Sequence, residues 1–240
     1  MSVTNKILVV GASSDIGQAV TKRLLDDGYQ VLGTYCTRND NLIALKEKHI
    51  KYANSLNIIK LDIKCVDQIR SLFLQKNILQ GLKGLVFLPA VENKLPLLEL
   101  TPEILLNTFQ INFFSAVFLY QYFSKFIIES NSAGSIVGIS SEITRFGGHH
   151  QFPYVASKSS LNALTMVSAK EWGPYKIRVN AVSPGKISAG KNFRHSQDNI
   201  PIVPLGRLGS SDEVANAVAW LLSDQSLYIT GAVIPVNGGR

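Results

Sequence analysis

Lys6-Ile7-Leu8-Val9-Val10-Gly11-Ala12-Ser13-Ser14-Asp15-Ile16-Gly17 decides the fold. Lys6 to Val10 is a short apolar run, as a strand buried on both faces of a parallel sheet requires. Ile16, Ala19, Val20, Leu24 and Leu25 then recur at helical spacing until Gly28. Strand, glycine loop and helix in that order make a phosphate cradle: glycine lets the backbone approach closely, and the first helical N–H groups point at the anion. Gly11, Ser13, Ser14, Asp15, Ile16 and Gly17 are therefore candidate contacts for a dinucleotide.

Outward from this cradle, Gln30 to Thr34 reads as the second strand. An acidic residue at its end would accept hydrogen bonds from a ribose 2′-hydroxyl and repel a 2′-phosphate. The chain instead has Thr34-Tyr35-Cys36-Thr37-Arg38, whose hydroxyls and guanidinium suit a phosphate, so NADP(H) is expected over NAD(H). Further strands are expected at Ile58–Ile63, Leu82–Leu88, Ser135–Ser140, Lys176–Val182 and Ala232–Val236, with Pro235 marking the last as a sheet edge or a strand end. Helices are expected at Asn41–His49, Asp67–Lys76, Thr101–Glu129, Tyr154–Trp172, and behind a capping box of Ser210 and Glu213. Asp62 is placed to bond an adenine amino group or to cap the following helix. Alternating strands and helices without a repeat or linker imply one α/β domain over residues 1–240, a doubly wound parallel sheet. Ligands on such sheets lie at the carboxyl ends of the strands, where the Gly11 loop, Asp62, Ser141 and Pro184-Gly185 all fall.

Composition narrows the class. The 240 residues are 46% hydrophobic and 17% charged, a globular balance with room for a substantial core. The greasy segment Ile104–Ile128 is interrupted by Asn107, Gln110, Asn112, Gln121 and Lys125, short of the roughly 20 apolar residues of a bilayer span, so no membrane partner is expected. The opening Met-Ser-Val-Thr-Asn-Lys and a four-residue apolar run do not resemble a signal peptide. Cys36 and Cys65 form no close pair, and a reducing, cytoplasmic setting with free thiols is expected. Net charge is +7, but the basic residues are scattered, which argues against nucleic acid.

Phe152-Pro153-Tyr154-Val155-Ala156-Ser157-Lys158 carries the candidate chemistry. On a helix, a spacing of four places Tyr154 and Lys158 on one face, one turn apart. A positive charge beside a phenol favours its ionised form and lowers its titration point, making it a usable acid or base. Asn112 is the polar anomaly of the long aromatic helix, an amide that must find partners if buried.

With these pieces in place, the whole chain resembles the short-chain dehydrogenase/reductases and is similar in layout to the 3-oxoacyl-carrier-protein reductases. The resemblance rests on Gly11 through Gly17, Asp62-Ile63, Asn112, Ser141 with Tyr154 thirteen positions on, Lys158, Asn180 to Gly185, and Ile229 through Gly239. It implies a Rossmann fold, a homotetramer or homodimer packed through the long helices, and a catalytic tetrad of Asn112, Ser141, Tyr154 and Lys158. It further implies cofactor contacts at Ile63, Ala90, Tyr154, Lys158, Pro184, Gly185 and Ile187, beside those of the glycine loop, Arg38 and Asp62. In the implied reaction NADPH reduces a carbonyl, Ser141 and Tyr154 bond the oxygen, and Tyr154 supplies the proton. Lys158 holds the nicotinamide ribose, and Asn112 positions a water that relays protons.

The chain departs from the family at Asp15 and Ser14 in the first loop and at Phe87-Leu88-Pro89-Ala90, where the family has Asn-Asn-Ala-Gly. It departs again at Lys186-Ile187-Ser188-Ala189, where Ile187 or Ser188 stands in for a threonine. The basic segment after Gly185, with Lys186, Lys191 and Arg194 against Asp198, suggests a lid and an anionic substrate or acidic carrier protein. His149, His150 and His195 lack metal-ligand spacing, so no metal is expected, and Gly147-Gly148 reads as loop flexibility. The favoured function is NADPH-dependent reduction of a small-molecule ketone, with a 3-oxoacyl thioester as one candidate. An NAD-dependent alcohol, sugar or steroid dehydrogenase and a non-catalytic cofactor-binding regulator stay open.

Overall fold

Alternation along single strands builds the molecule. In the computed structural model, which describes residues 5–48, 52–188 and 203–240, strand β1 (Lys6–Val10) is buried throughout. Leu8 and Val10 pack into one core and Ile7 and Val9 into another, because successive side chains point to opposite faces. The chain continues through α1 (Asp15–Asp26), β2 (Gln30–Tyr35), α2 (Asp40–Lys48), β3 (Leu56–Lys60), α3 (Val66–Leu74), α4 (Lys76–Leu79) and β4 (Leu82–Phe87). It then forms α5 (Pro102–Phe109), α6 (Ser115–Glu129), β5 (Gly134–Ile139), α7 (Phe152–Trp172), β6 (Ile177–Pro184), α8 (Ser211–Leu222) and β7 (Val233–Val236).

All seven strands are parallel, in the order β3-β2-β1-β4-β5-β6-β7. One core packs α3, α6 and α7 on the sheet through Ile69, Leu119, Phe123 and Leu161. The other packs α1, α2 and α8 through Leu24, Leu42, Val214 and Val218. From β1 the chain runs outward to β2 and β3, then crosses to β4 on the other side of β1. That reversal opens a crevice at the carboxyl ends of β1 and β4. The sheet is the expected doubly wound one.

Local differences from expectation have local causes. Strand β3 ends at Lys60, so Asp62 and Ile63 lie beyond it, and Asp62 Oδ1 accepts from the Lys64 amide at 3.0 Å. Cys65, not Asp62, occupies the N-cap position of α3. The long helix runs to Glu129 as expected but carries one π-helical turn, Gln110–Phe114, between α5 and α6. Pro102–Glu129 taken together passes a length and hydropathy test for a membrane span, but Leu119, Tyr120, Phe123 and Ile127 on it are spent against the sheet. The capping box of α8 forms as expected: Ser210 Oγ accepts from the Glu213 amide at 3.2 Å and Glu213 Oε2 from the Ser210 amide at 2.8 Å. Strand β7, with Pro235, is an edge.

Candidate active site

Two clefts meet at Tyr154. The first, about 630 Å³, lies over the carboxyl ends of β1, β2 and β4 and is walled in part by Gly11, Ser13–Ile16, Thr34–Thr37, Asp62–Lys64, Ala90, Tyr154 and Lys158. Its floor is the glycine loop. Gly11 holds φ at +81°, and a Cβ there would press on Pro89 at 3.3 Å. At Gly17 a Cβ would lie 2.4 Å from the Gly11 carbonyl, so a side chain would open the turn. Ser14 Oγ caps α1 by accepting from the Gly17 amide at 3.1 Å, the role Asp15 was free to take. Asp15 instead stands in the first helical turn on the cleft wall.

The second cleft, about 420 Å³, shares Tyr154 with the first. Ser141, Glu142, Gly147, Gly148, Gln151 and Gly185 line it, with Glu92, Lys94, Lys186 and Arg240 bringing charge. Ser141 sits just beyond β5, at the head of the short helical turn Glu142–Arg145, and its carbonyl accepts from Thr144 Oγ1 at 2.9 Å. Gly148 is not a free hinge: a Cβ there would meet Gln151 Oε1 at 2.2 Å and Ile143 Cδ1 at 2.3 Å.

Helix α7 presents Tyr154 and Lys158 one turn apart, and both reach the first cleft. Their electrostatics reverse the sequence expectation. Burial pushes the Tyr154 phenol up to about 12; a hydrogen bond with Ser141 opposes this and the Glu92 carboxylate adds to it. Lys158 is 1% exposed, and burial holds its ammonium down to about 7. Its Nζ donates to the Ile139 carbonyl at 2.6 Å and lies 5.9 Å from the Tyr154 ring centre. A buried lysine near neutrality does not bring a full charge to the phenol, because desolvation disfavours that charge first. The group that lowers the phenol is the Ser141 hydroxyl.

Asn112, on the π turn, is fully buried and already bonded. Its Oδ1 accepts from the Val91 amide at 2.8 Å, and its Nδ2 donates to the Val91 carbonyl at 3.0 Å and to Ser157 Oγ at 2.9 Å. Ser157 Oγ in turn donates to the Tyr154 carbonyl at 2.8 Å. Both amide hydrogens are used, which leaves one Oδ1 lone pair for a water. The amide's visible work is to brace the segment after β4 against the helix that carries Tyr154.

A sequence model of the family described as Enoyl-(Acyl carrier protein) reductase matches residues 11–240. The chain belongs to the short-chain dehydrogenase/reductase family. It is 28% identical over 240 residues to the L-xylulose reductase of Bos taurus, covering 98% of this chain and 95% of that one. It is 28% identical over 246 residues to the 3-oxoacyl-[acyl-carrier-protein] reductase of Staphylococcus aureus, covering 100% and 99%. Among solved structures it superposes on ElxO with NADP bound at a TM-score of 0.89, with 23% identity and 98% of each chain covered.

As a member of this family of NAD(P)-dependent oxidoreductases, the chain has a first cleft that fits a dinucleotide. A loop that only glycines close stands at one end. At the other, Lys158 is a buried group whose one acceptor among the described residues is the Ile139 carbonyl, which leaves its charged form two protons suited to ribose hydroxyls. Not every residue implied by the family resemblance lies there. Gly17 works beneath the turn. Arg38 is exposed and outside the cleft wall, because the chain bends after Thr37 to enter α2. The lysine on that wall, beside Asp62, is Lys64, which the sequence reading passed over. Pro184 is bound into β6 opposite Val236, and Gly185 lines the second cleft, its amide donating to the Val236 carbonyl at 3.0 Å. Ile187 bridges Gly209, and the Ser188 hydroxyl donates to the Gly209 carbonyl at 3.1 Å, which leaves its oxygen lone pairs open.

The altered segment Phe87-Leu88-Pro89-Ala90 is braced by other means. The Leu88 amide donates to the Val10 carbonyl at 3.1 Å, Pro89 packs on Gly11, and Asn112 grips Val91. Glu92, Glu142, Gln151 and Arg240 were also missed. A charged residue two positions beyond the segment that departs from its family was the available signal for Glu92; nothing local marks Arg240 as a cleft residue. Among the described residues no cluster of His, Cys, Asp and Glu is placed to hold a metal; His149 and His150 stack on each other at 3.7 Å. His195, Lys191, Arg194 and Asp198 lie outside the described residues.

Proposed function

We propose that the protein reduces a small-molecule ketone with NADPH. The observation that carries this reading is the position of Tyr154 at the meeting of a dinucleotide-sized cleft and a second, polar cleft that opens on Ser141. When bound, the nicotinamide supplies hydride to the carbonyl carbon. Tyr154, protonated up to about pH 12, is the proton donor to the carbonyl oxygen, and Ser141 donates a second hydrogen bond as negative charge gathers there. Lys158, poised near 7, exchanges protons close to neutral pH and restores the phenol's proton.

Support for NADPH over NADH is the absence of a carboxylate at the end of β2, where Thr34 and Thr37 line the cleft, and the ammonium of Lys64 on the same wall. Of the relatives, one is named for reduction of the ketose L-xylulose and one for 3-oxoacyl-carrier-protein chains. Copies of the chain would associate through α5 to α7, where Leu106, Met166 and Val167 are exposed; sedimentation of a single 26 kDa species would refute that part.

The test is NADPH and NADH oxidation over a panel of ketones, with Tyr154→Phe as control. Removal of the phenolic proton is expected to lower kcat by roughly a hundred- to ten-thousandfold while NADPH binding persists. Turnover by Tyr154→Phe equal to wild type, or NADPH binding without reduction of any ketone, would overturn the proposal.

A further inference from the structure

The second cleft is built for a particular kind of carbonyl compound. Of its lining side chains among the described residues only Ile143 and Phe146 are substantially apolar; the rest are charged, polar or glycine. An acyl chain would leave these polar groups desolvated and without partners. Glu92 is the residue placed to face a substrate. Asn112 grips Val91 by both its amide and its carbonyl, and the Leu95 amide donates to the His150 carbonyl at 2.9 Å, so the 91–95 segment is fixed at both ends. Glu92 Oε1 accepts from Gln151 Nε2 and lies 3.7 Å from Lys94 Nζ. Oε2 has no partner among the described residues. The carboxylate is near enough to the reacting centre for its charge to act on the Tyr154 phenol.

The other carboxylate of the cleft is buried. Glu142 Oε1 pairs with Arg240 at 2.9 Å, and Oε2 is enclosed near Gly185 without a partner among the described residues. Glu92 is thus the more exposed of the two carboxylates that line this cleft with Tyr154. It favours hydroxyl donors and repels carboxylates.

Building on the reductase reading, we propose that Glu92 is a substrate-binding residue that accepts hydrogen bonds from hydroxyls next to the carbonyl, so that the site selects an uncharged polyhydroxylated ketone over an acyl thioester or a keto acid. Gln151 and Lys94 hold its first oxygen and leave the second for the substrate. The choice of substrate on this account is made by a residue that follows, two positions on, the segment Phe87–Ala90 in which the chain departs from its family.

The experiment compares wild type, Glu92→Gln and Glu92→Ala, using NADPH and four probes: dihydroxyacetone, a five-carbon ketose, cyclohexanone and an acetoacetyl thioester. Wild type is expected to favour the ketose over the thioester by at least about tenfold in kcat/KM. Glu92→Gln should raise KM for both hydroxylated ketones by roughly ten- to a hundredfold, since a hydrogen bond to a charged acceptor is replaced by a weaker one. It should leave KM for cyclohexanone and the affinity for NADPH unchanged. A wild type that prefers the thioester, or a KM raised equally for cyclohexanone and ketose, would overturn the assignment of Glu92 while leaving the reductase reading standing. Reduction of none of the four probes by a wild type that binds NADPH would count against the reductase reading itself.

Discussion

Replacing Lys158 with methionine should separate the catalytic from the structural demands of the site. The ammonium has been taken wholly out of water and given one carbonyl acceptor, Ile139, at 2.6 Å. Its displacement from an ordinary 10.5 to about 7 corresponds to a penalty on the order of 5 kcal/mol for keeping it charged in the folded protein. The sign follows from linkage. Between pH 7 and 10.5 the unfolded chain binds a proton that the folded chain has released, so the folded state gains stability as pH rises through that window and loses it below. Methionine fills a similar volume with no proton to lose and no charge to bury.

Urea unfolding of the cofactor-free protein, at matched ionic strength, measures the difference. From about pH 7.5 to about pH 9.5, wild type should gain roughly 2–3 kcal/mol relative to Lys158→Met, the other titrating groups cancelling between the two. Near pH 6 the variant should be the more stable protein and yet inactive. Parallel stability profiles, or a variant destabilised at pH 6, would refute the argument that burial dominates this lysine.

Asn112→Ala removes three buried hydrogen bonds and leaves the Val91 amide and carbonyl without partners, so it should cost about 2–4 kcal/mol by urea unfolding and lower kcat as Tyr154 loses its brace. Gly17→Ala sets a Cβ 2.4 Å from a carbonyl oxygen in the phosphate loop; NADPH affinity by fluorescence titration should fall by roughly a hundredfold or more. Lys64→Glu should weaken NADPH roughly tenfold and NADH little, whereas Arg38→Asp, outside the cleft, should leave the ratio of the two affinities unchanged.

Much of the fold was legible because its signals are local. The apolar run Lys6–Val10 is strand β1 residue for residue, and Ser210 with Glu213 caps the helix it was expected to start. Strand ends were less legible, as at Asp62 and Ile63, where pairing partners decide how far a strand runs. The π turn at Gln110–Phe114 left no mark in a pattern of aromatics that suits an unbroken helix. Arg38, whose type and position suited a phosphate, stands exposed and is not part of the cleft wall among the described residues.

By itself the sequence determined the order of strands and helices, the glycine loop, and the one-turn spacing of Tyr154 and Lys158, since each depends on residues within a few positions of one another. Only the tertiary structure decided which charges reach the phenol. Lys158 loses much of its own to burial under a packed sheet, while Glu92, brought up by Asn112 and Gln151 from a segment some sixty residues away, contributes its own. Desolvation and the field at an atom depend on everything that surrounds it, and those surroundings exist only once distant parts of the chain have come together.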